Sequence, residues 1–366
     1  MKKILMGTSA LAVAGAFAGQ ANAATWDLDW GGYYEAGIAY ASSDYGSGYG
    51  DPDFDGVDVI TDSEIIFTPS ITLDNGLTFG VDIQLEGSSA PTDRIDESYA
   101  FVKGSFGQIL IGSENSAGYK MMYGAPDVTW IGVNSSSGSS LVPLSQTNDV
   151  FRGTGGSSFI EVGRNNDAER ITYFTPRFSG FQLGVSYARD GLEGNGARDD
   201  VDAAGTLHDI FDIGANYVNS FGAFDVALAG RYGVGSRAQS DDDPTVYAFG
   251  LNLGYAGFKI GGSYAKSEDD GANDGRFFDL GVSYETGPWG VSFTYSNGEN
   301  DSSDVFFGDA PGDESELEQY LAGVTYKLGP GVKVGAWAGY IDLDAPNGSV
   351  NDLDGFHIGT GFKLNF

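Results

Sequence analysis

Cysteine is absent from this 366-residue chain, and histidine occurs only twice, as His208 and His357. Without thiolates the chain can form neither a disulfide framework nor a thiolate-based metal or redox site. Two histidines are too few to suggest a Ser–His catalytic site or a histidine-ligated metal site. The sequence therefore predicts that the protein is not an enzyme.

Positive charge is also scarce. The chain carries 19 Lys and Arg against 51 Asp and Glu, which gives a formal net charge of -32. Because the phosphates of nucleic acids require basic partners, we expect no nucleic-acid binding. An acidic chain with few aromatic residues would be disordered, but aromatic residues make up 13% of this one, which predicts a folded protein.

Long hydrophobic runs are missing except near the N-terminus. Lys2 and Lys3 precede an apolar stretch over 4–19, and Ala21-Asn22-Ala23 has the small-x-small pattern of a cleavage site. These features predict a Sec-type signal peptide over residues 1–23, with an uncleaved membrane anchor as the alternative. Beyond this segment no run of about 20 apolar residues occurs, so we expect no transmembrane helix.

Alternation of apolar and polar residues fills the rest of the chain. Every second residue from Leu77 to Leu85 is apolar, and the same pattern recurs up to the last strand, Phe356 to Phe366. A period of two is typical of extended strands with one apolar face. The opposite face is rich in small polar residues and glycine, of which the chain has 57, so we expect open space on that side.

Two classes of connection alternate along the chain. Short turns such as Asp74-Asn75-Gly76 and Gly329-Pro330-Gly331 alternate with longer acidic segments such as 190–207 and 297–314. This order indicates an up-and-down meander with its tight turns at one end, and we count about 16 strands. Aromatic residues begin or end many apolar faces, as they do at membrane–water boundaries. The sequence predicts an all-β fold, a transmembrane antiparallel up-and-down β-barrel, with a soluble β-sandwich as the alternative.

A resemblance to a known family adds to this prediction. The segment ITYFTPRFSGFQLGVSY, from Ile171 to Tyr187, resembles the hairpin after the constriction loop of Gram-negative general porins, and the chain ends in an alternating strand at Phe366. The similarity covers 24–366 and is nearest to the alphaproteobacterial, Rhodobacter-like branch. It implies a 16-stranded outer-membrane channel for small hydrophilic solutes, usually a homotrimer, surrounded by outer-membrane lipid and lipopolysaccharide.

One connection, over 115–167, is much longer than all the others and is dominated by Ser, Gly and Asn. Irregular loops longer than about 12–15 residues are uncommon in compact folds and are usually functional or disordered. It follows a predicted fifth strand, so it is the third long loop. The resemblance implies that this constriction loop folds into the lumen, with Asp127, Asp149 and Glu161 facing basic residues on the wall.

The strand register places further charges on the lumen wall. Acids are in excess there, and no tight arginine ladder is evident, which predicts a general diffusion channel with a mild preference for cations. A solvated wall without selectivity is one alternative, and a substrate-specific channel is another, although only Trp337 and Phe277 are large inward-facing rings. The inward basic residues are Arg170, Arg231, Lys259, Lys333 and Lys363, and the inward acids are Glu35, Glu64, Asp82, Glu86, Asp212, Asp225 and Asp279.

The first long loop carries a calcium-like motif. Asp51, Asp53 and Asp55, followed by Gly56 and with Asp62 at the twelfth place, match the spacing of a calcium loop. The last ligand is Asp where Glu is usual, and strands rather than helices flank it. A passive channel requires no cofactor, so the two interpretations are Ca²⁺ in an external loop and a solvated acidic loop.

Overall fold

Among the residues that the structure describes, sixteen β-strands and two short helical turns make up the regular structure. The computed structural model describes residues 25–46, 53, 55–87, 95–134, 141–142, 156–193, 199–240, 243–269, 274–300, 315–344 and 352–366; the expected signal peptide over 1–23 lies outside these ranges. The helical turns are α1 (Ala117–Met121) and a 3₁₀ turn (Val162–Arg164). The strands are β1 (Asp27–Tyr45), β2 (Gly56–Thr72), β3 (Thr78–Glu86), β4 (Ile95–Gly104), β5 (Gly107–Ser113), β6 (Glu169–Phe174), β7 (Phe181–Asp190), β8 (Leu207–Phe221), β9 (Phe224–Arg237), β10 (Thr245–Tyr255), β11 (Phe258–Glu268), β12 (Gly275–Thr286), β13 (Trp289–Asn300), β14 (Ser315–Gly329), β15 (Val332–Asp344) and β16 (Leu353–Asn365).

The strands form one closed antiparallel barrel in chain order. Each strand pairs with the next along the chain, and β1 closes the sheet by pairing with β16, with Glu35 opposite Lys363. At this seam the backbone of Gly32 exchanges two hydrogen bonds with that of Phe366, at 3.0 and 3.1 Å. The predicted 16-stranded up-and-down barrel is confirmed. No helix in the described ranges is long and apolar enough to span a membrane.

Tight turns collect at one end of the barrel, as the alternation of connections predicts. Glycine is required at some of them because the backbone has a positive φ there. Gly257 has a φ of 86°, and a side chain on it would come within 2.4 Å of the carbonyl oxygen of Glu285. At the opposite end lie the long connections, including the one between β5 and β6.

The outer face of the barrel is apolar and is bounded by aromatic rings. Near the tight turns Phe224 stacks on Tyr255, with ring centroids 4.4 Å apart. Toward the other end Tyr295 meets Tyr320 at 4.8 Å. Leu251, on the outer face of β10 between Tyr247 and Tyr255, is 39% exposed. Two aromatic belts around an apolar band are the outer surface expected of a membrane barrel.

The buried apolar residues lie inside the barrel, between its wall and the segment over 114–168. Three clusters form there, and each joins residues of the segment to residues of the wall. A channel wall has no sheet-on-sheet core, so these contacts hold the segment in place. The segment contributes Met122, Ile160 and Val162 to the first cluster, Val142 to the second, and Trp130, Ile131, Val133 and Leu141 to the third.

Candidate functional site

The segment between β5 and β6 is the candidate constriction element of the lumen. It is described at 114–134, 141–142 and 156–168. These described parts of the expected loop over 115–167 fold into the barrel, because their side chains join the three interior clusters.

The segment begins at α1, which is bound to two neighbouring wall strands. The backbone N–H of Ala117 donates to the Ser186 hydroxyl on β7 at 2.7 Å, and that of Gly118 donates to the Asp212 carboxylate on β8 at 2.6 Å. The Ser116 hydroxyl caps this short helix by accepting from the N–H of Tyr119. Wall side chains therefore satisfy the free N–H groups at the start of the helix.

Beyond α1 the segment runs along the wall toward β15. The N–H of Ala125 donates to Asp279 on β12 at 3.0 Å. Further on, the N–H of Val128 donates to Ser292 on β13 at 3.2 Å, and its carbonyl accepts from Lys333 on β15 at 2.9 Å. The described part of the segment thus follows the inner wall from β7 to β15.

Lumen-facing glycines form a track beneath the segment. A side chain on Gly250 would lie 2.1 Å from the carbonyl oxygen of Tyr123, and one on Gly323 would lie 2.2 Å from the side chain of Thr129. The glycine-rich face of the strands led us to expect open space. At these positions that expectation is wrong, because the absent side chains leave room for the segment and not for water.

The predicted acids of the loop lie in polar, buried positions. Asp127 accepts from the Ser292 hydroxyl and the Thr129 N–H, both at 2.8 Å, and burial raises the pKa of its carboxyl. Glu161 accepts from the N–H of Ser116 at 2.6 Å and pairs with Arg170 at 3.5 Å. Asp149 lies outside the described residues.

Two of the predicted basic wall residues are covered by the segment. Arg170 and Arg231 are 5% and 4% exposed. Arg231 pairs with Asp212 and donates to the carbonyl of Ile160 at 2.6 Å, while Arg170 pairs with Glu161. Both guanidinium groups are neutralised by a carboxylate and fasten the segment to the wall.

The remaining predicted basic residues of the wall lie in three different environments. Lys333 is half-buried, and its ammonium lies 5.8 Å from the centre of the Trp130 ring. Lys259 is exposed at the tight-turn end of β11. Lys363 forms an ion pair with Glu35, which lies opposite it in register across the seam between β1 and β16.

The acids on β2 and β3 form the other side of the lumen. Asp82 accepts from Thr68 and Gln84, both at 2.9 Å and both on the wall. Glu64 and Glu86 lie opposite each other in register, half-buried. Among the described residues, Glu64 and Asp82 take part in no ion pair, whereas Arg170 and Arg231 are each paired with a carboxylate. The lumen therefore has an acidic wall on β2–β3, while Arg170 and Arg231 are paired under the segment.

A cluster at the root of the segment links it to β4. The ammonium of Lys120 pairs with Glu114 and lies 3.4 Å from Glu97. The carboxylate of Glu97 also accepts from the amide of Asn115 at 2.8 Å. Burial raises the pKa of Glu114 to about 7. The charge of this anchor therefore changes near neutral pH.

Asp55 and Asp62 of the calcium-like motif have separate partners in the structure. Asp55 binds back to β1, accepting from the Ser42 hydroxyl at 2.9 Å and the Ser43 N–H at 2.8 Å. Asp62 lies seven positions further along β2, roughly 20 Å away for an extended strand, and accepts from Tyr33. Asp51 lies outside the described residues, and among those described no three acidic or histidine side chains are grouped to hold a metal.

Trp130 is a buried residue of the segment that the sequence did not single out. It meets Trp337 edge-on with ring centroids 5.8 Å apart, and Trp337 faces inward as predicted. The one available signal was an isolated large ring within a stretch of Ser, Gly and Asn. Strand periodicity cannot place such a residue, because the described parts of the segment contain no strand.

Comparisons with known proteins agree with this geometry. A family model described as Gram-negative porin matches residues 10–346. The structure is similar to an anion-selective porin from Comamonas acidovorans, with 15% sequence identity and a TM-score of 0.61 over 93% of this chain and 100% of that one. It is also similar to in-vitro folded OmpT of Vibrio cholerae in its trimer form, with 13% identity, a TM-score of 0.60 and coverage of 93% and 100%. A double mutant of Rh. blastica porin shows 16% identity and a TM-score of 0.55, with coverage of 93% and 100%. No curated protein sequence matches the chain significantly.

Proposed function

Because the chain belongs to the Gram-negative porin family, it is an outer-membrane channel and not an enzyme, and we propose that it passes small hydrophilic solutes with a preference for cations. The observation that carries the proposal is the acidic wall formed by Glu64, Asp82 and Glu86. A narrow lumen with low-dielectric walls concentrates ions of the opposite sign.

The pairing of the arginines strengthens this preference. Arg170 and Arg231 are each matched by a buried carboxylate, so they present little net charge to a passing ion. The carboxylates of Glu64 and Asp82, by contrast, take part in no ion pair with the described residues. One structural neighbour is described as anion-selective. The fold alone does not set the sign of the ions that a channel prefers, and that preference depends on the charges that line the lumen.

A salt gradient across a planar bilayer tests the selectivity. We expect the reversal potential in KCl to show K⁺ preference, and the double variant Asp82→Asn with Glu86→Gln to lower the permeability ratio. A carboxylate about 10 Å from the ion path changes its energy by about 0.4 kcal/mol in water, so the ratio should fall about two- to fourfold at low salt. Glu299→Gln is the matched control, because that carboxylate pairs with Arg276 on the outer face. A preference for Cl⁻ in the unmodified protein refutes the proposal.

We also propose that the protein assembles as a homotrimer. The support is the trimer form of OmpT from Vibrio cholerae, whose barrel is similar. Single-channel closures that come in threes, together with a heat-sensitive trimer band after cross-linking, are the expected results. Closures in single steps only, with a monomer in detergent, contradict it.

Substrate specificity is a second candidate function. The pair of indole rings at Trp130 and Trp337 does not favour it, because both rings are packed in the cluster between the segment and the wall. Liposome swelling with solutes of increasing size separates the two functions. A smooth fall of the flux with size supports general diffusion, and saturation by one solute supports specificity.

A further inference from the structure

The carboxylate of Asp279 on β12 lies between the wall and the inserted segment, and its side chain is fully buried. Its Oδ1 atom accepts from the N–H and the hydroxyl of Ser263 on β11, at 2.5 and 2.8 Å, and from the N–H of Ala125 at 3.0 Å. Its Oδ2 atom accepts from the side-chain amide of Asn134. These four donors, and no basic side chain among the described residues, offset the cost of burying its charge.

Asn134 extends this contact to the other end of the segment. Its Oδ1 atom accepts from the hydroxyl of Ser157 at 2.9 Å and from the N–H of Ser158 at 3.0 Å. The Ser158 hydroxyl in turn lies 2.6 Å from that of Ser263 on the wall. An outgoing arm of the segment, 114–134, and a returning arm, 156–168, are thus bound to each other and to β11 and β12. We call the side chains of Asp279, Asn134, Ser158 and Ser263 the clasp.

The clasp is a second junction between the two arms. The first lies at the root of the segment, where Glu161 of the returning arm accepts from the N–H of Ser116 at 2.6 Å. The clasp joins the arms further from the root, at Asn134 and Ser158. Two junctions fix the separation of the arms and their angle to the wall, whereas one junction leaves the arms free to pivot about the root. The clasp therefore determines how far the segment extends from the wall into the passage.

Hydrogen-bond chemistry makes the two central residues of the clasp specific. An ionised carboxylate only accepts, whereas an amide donates with its nitrogen and accepts with its oxygen. Asp279 meets donors at both oxygens, and Asn134 lies between an acceptor on the wall and donors on the returning arm. Neither residue can change type alone without placing like groups together. We propose that Asp279 is a positioning residue of the channel, which through Asn134 holds both arms against the wall and thereby sets the open width of the passage; this proposal rests on the channel function proposed above.

Exchanging the two side chains tests the proposal. Asp279→Asn places one NH₂ group against another, and Asn134→Asp places one carboxylate against another. The double variant has the same shape and reverses the pair, because the new amide donates to the new carboxylate, which still accepts from Ser157 and Ser158. We expect each single variant to raise the closed-to-open ratio of single channels in KCl about tenfold, as for the loss of one charge-assisted hydrogen bond. The double variant should lie within about twofold of the unmodified protein, because it restores the pair.

Asp225→Asn is the matched control, because it also removes one carboxylate from the lumen. Asp225 lies on β9 near a tight turn and accepts from Ser220, away from the clasp. We expect this variant to close like the unmodified protein. Ser158→Ala, which removes only a hydroxyl of the returning arm, should raise the closed-to-open ratio about threefold, and it tests the clasp even where a single exchange variant does not fold.

The results that overturn the proposal are distinct from those that overturn the channel function. Conducting single variants with the closed-to-open ratio of the unmodified protein overturn the clasp, and so does a double variant as disturbed as the worse single one. A lower melting temperature without any change in conductance or closures shows that Asp279 only stabilises the barrel, and it also overturns the positioning role. Each of these results leaves the channel function intact, whereas absence of any KCl conductance in the unmodified protein overturns both.

Discussion

Replacing Gly250 by alanine perturbs the contact between the inserted segment and the wall. The added methyl group would lie 2.1 Å from the carbonyl oxygen of Tyr123, whereas ordinary contact begins at 3.4 Å. The segment must therefore move toward the centre of the lumen by about 1 Å, or the strand must bend outward. Overpacking of this kind costs about 1–3 kcal/mol. We expect a lower single-channel conductance, because the displaced segment narrows the passage, and a melting temperature lower by a few degrees.

Gly254→Ala is the control for this experiment. Gly254 lies on the same strand and the same face, but a methyl group there would meet the exposed side chain of Asp225, at 3.2 Å, and no backbone of the segment. Conductance and thermal unfolding of purified Gly250→Ala, Gly254→Ala and unmodified protein are compared in one detergent and one bilayer. Equal conductance and equal melting of all three proteins would show that the segment does not rest on β10.

Three further predictions follow from the anchors and the first long loop. Asp212→Asn leaves the buried guanidinium of Arg231 without its carboxylate, so urea unfolding should show a loss of about 3–5 kcal/mol, and Asp212→Asn with Arg231→Met should recover part of it; no loss contradicts the pairing. Because the pKa of Glu114 is raised to about 7, its contribution to stability is present below about pH 4 and is lost as the pH rises through 7; the melting temperature should fall over that window, and Glu114→Gln should flatten the curve. Because Asp62 lies far along the strand from Asp55, a chelator should leave the melting temperature unchanged, and a drop of several degrees would restore the calcium interpretation.

The strands were predictable because their signal is local. Alternation between successive residues follows from the geometry of an extended chain, so Leu77 to Leu85 indicates one face without knowledge of any partner. The order of short and long connections then fixes the neighbours of each strand. Aromatic residues such as Tyr255 at strand ends marked the boundaries of the outer band. These features predicted the closed barrel and identified 115–167 as an exceptionally long connection, whereas the resemblance to porins implied that this connection folds into the lumen.

The lining of the passage depends on contacts that no periodicity encodes. Nothing in the sequence distinguishes Gly250, which lies under the segment, from Gly254, which does not. Likewise, Arg170 and Arg231 face inward by register, but only the path of the segment decides that they are covered and paired. The acidic wall on β2–β3 was foreseen as separate residues. Arg170 and Arg231 do not offset the negative charge of this wall, because each is already paired with a carboxylate.

The seam between β1 and β16 has a consequence for how the protein enters its membrane. Lipid offers no hydrogen-bonding groups, so an unpaired strand edge within it costs several kcal/mol for each exposed backbone group. Both edges stay open until Gly32 and Phe366 meet, which requires the last residues to have been synthesised. The sheet can therefore close within the bilayer only when β16 is present to pair with β1.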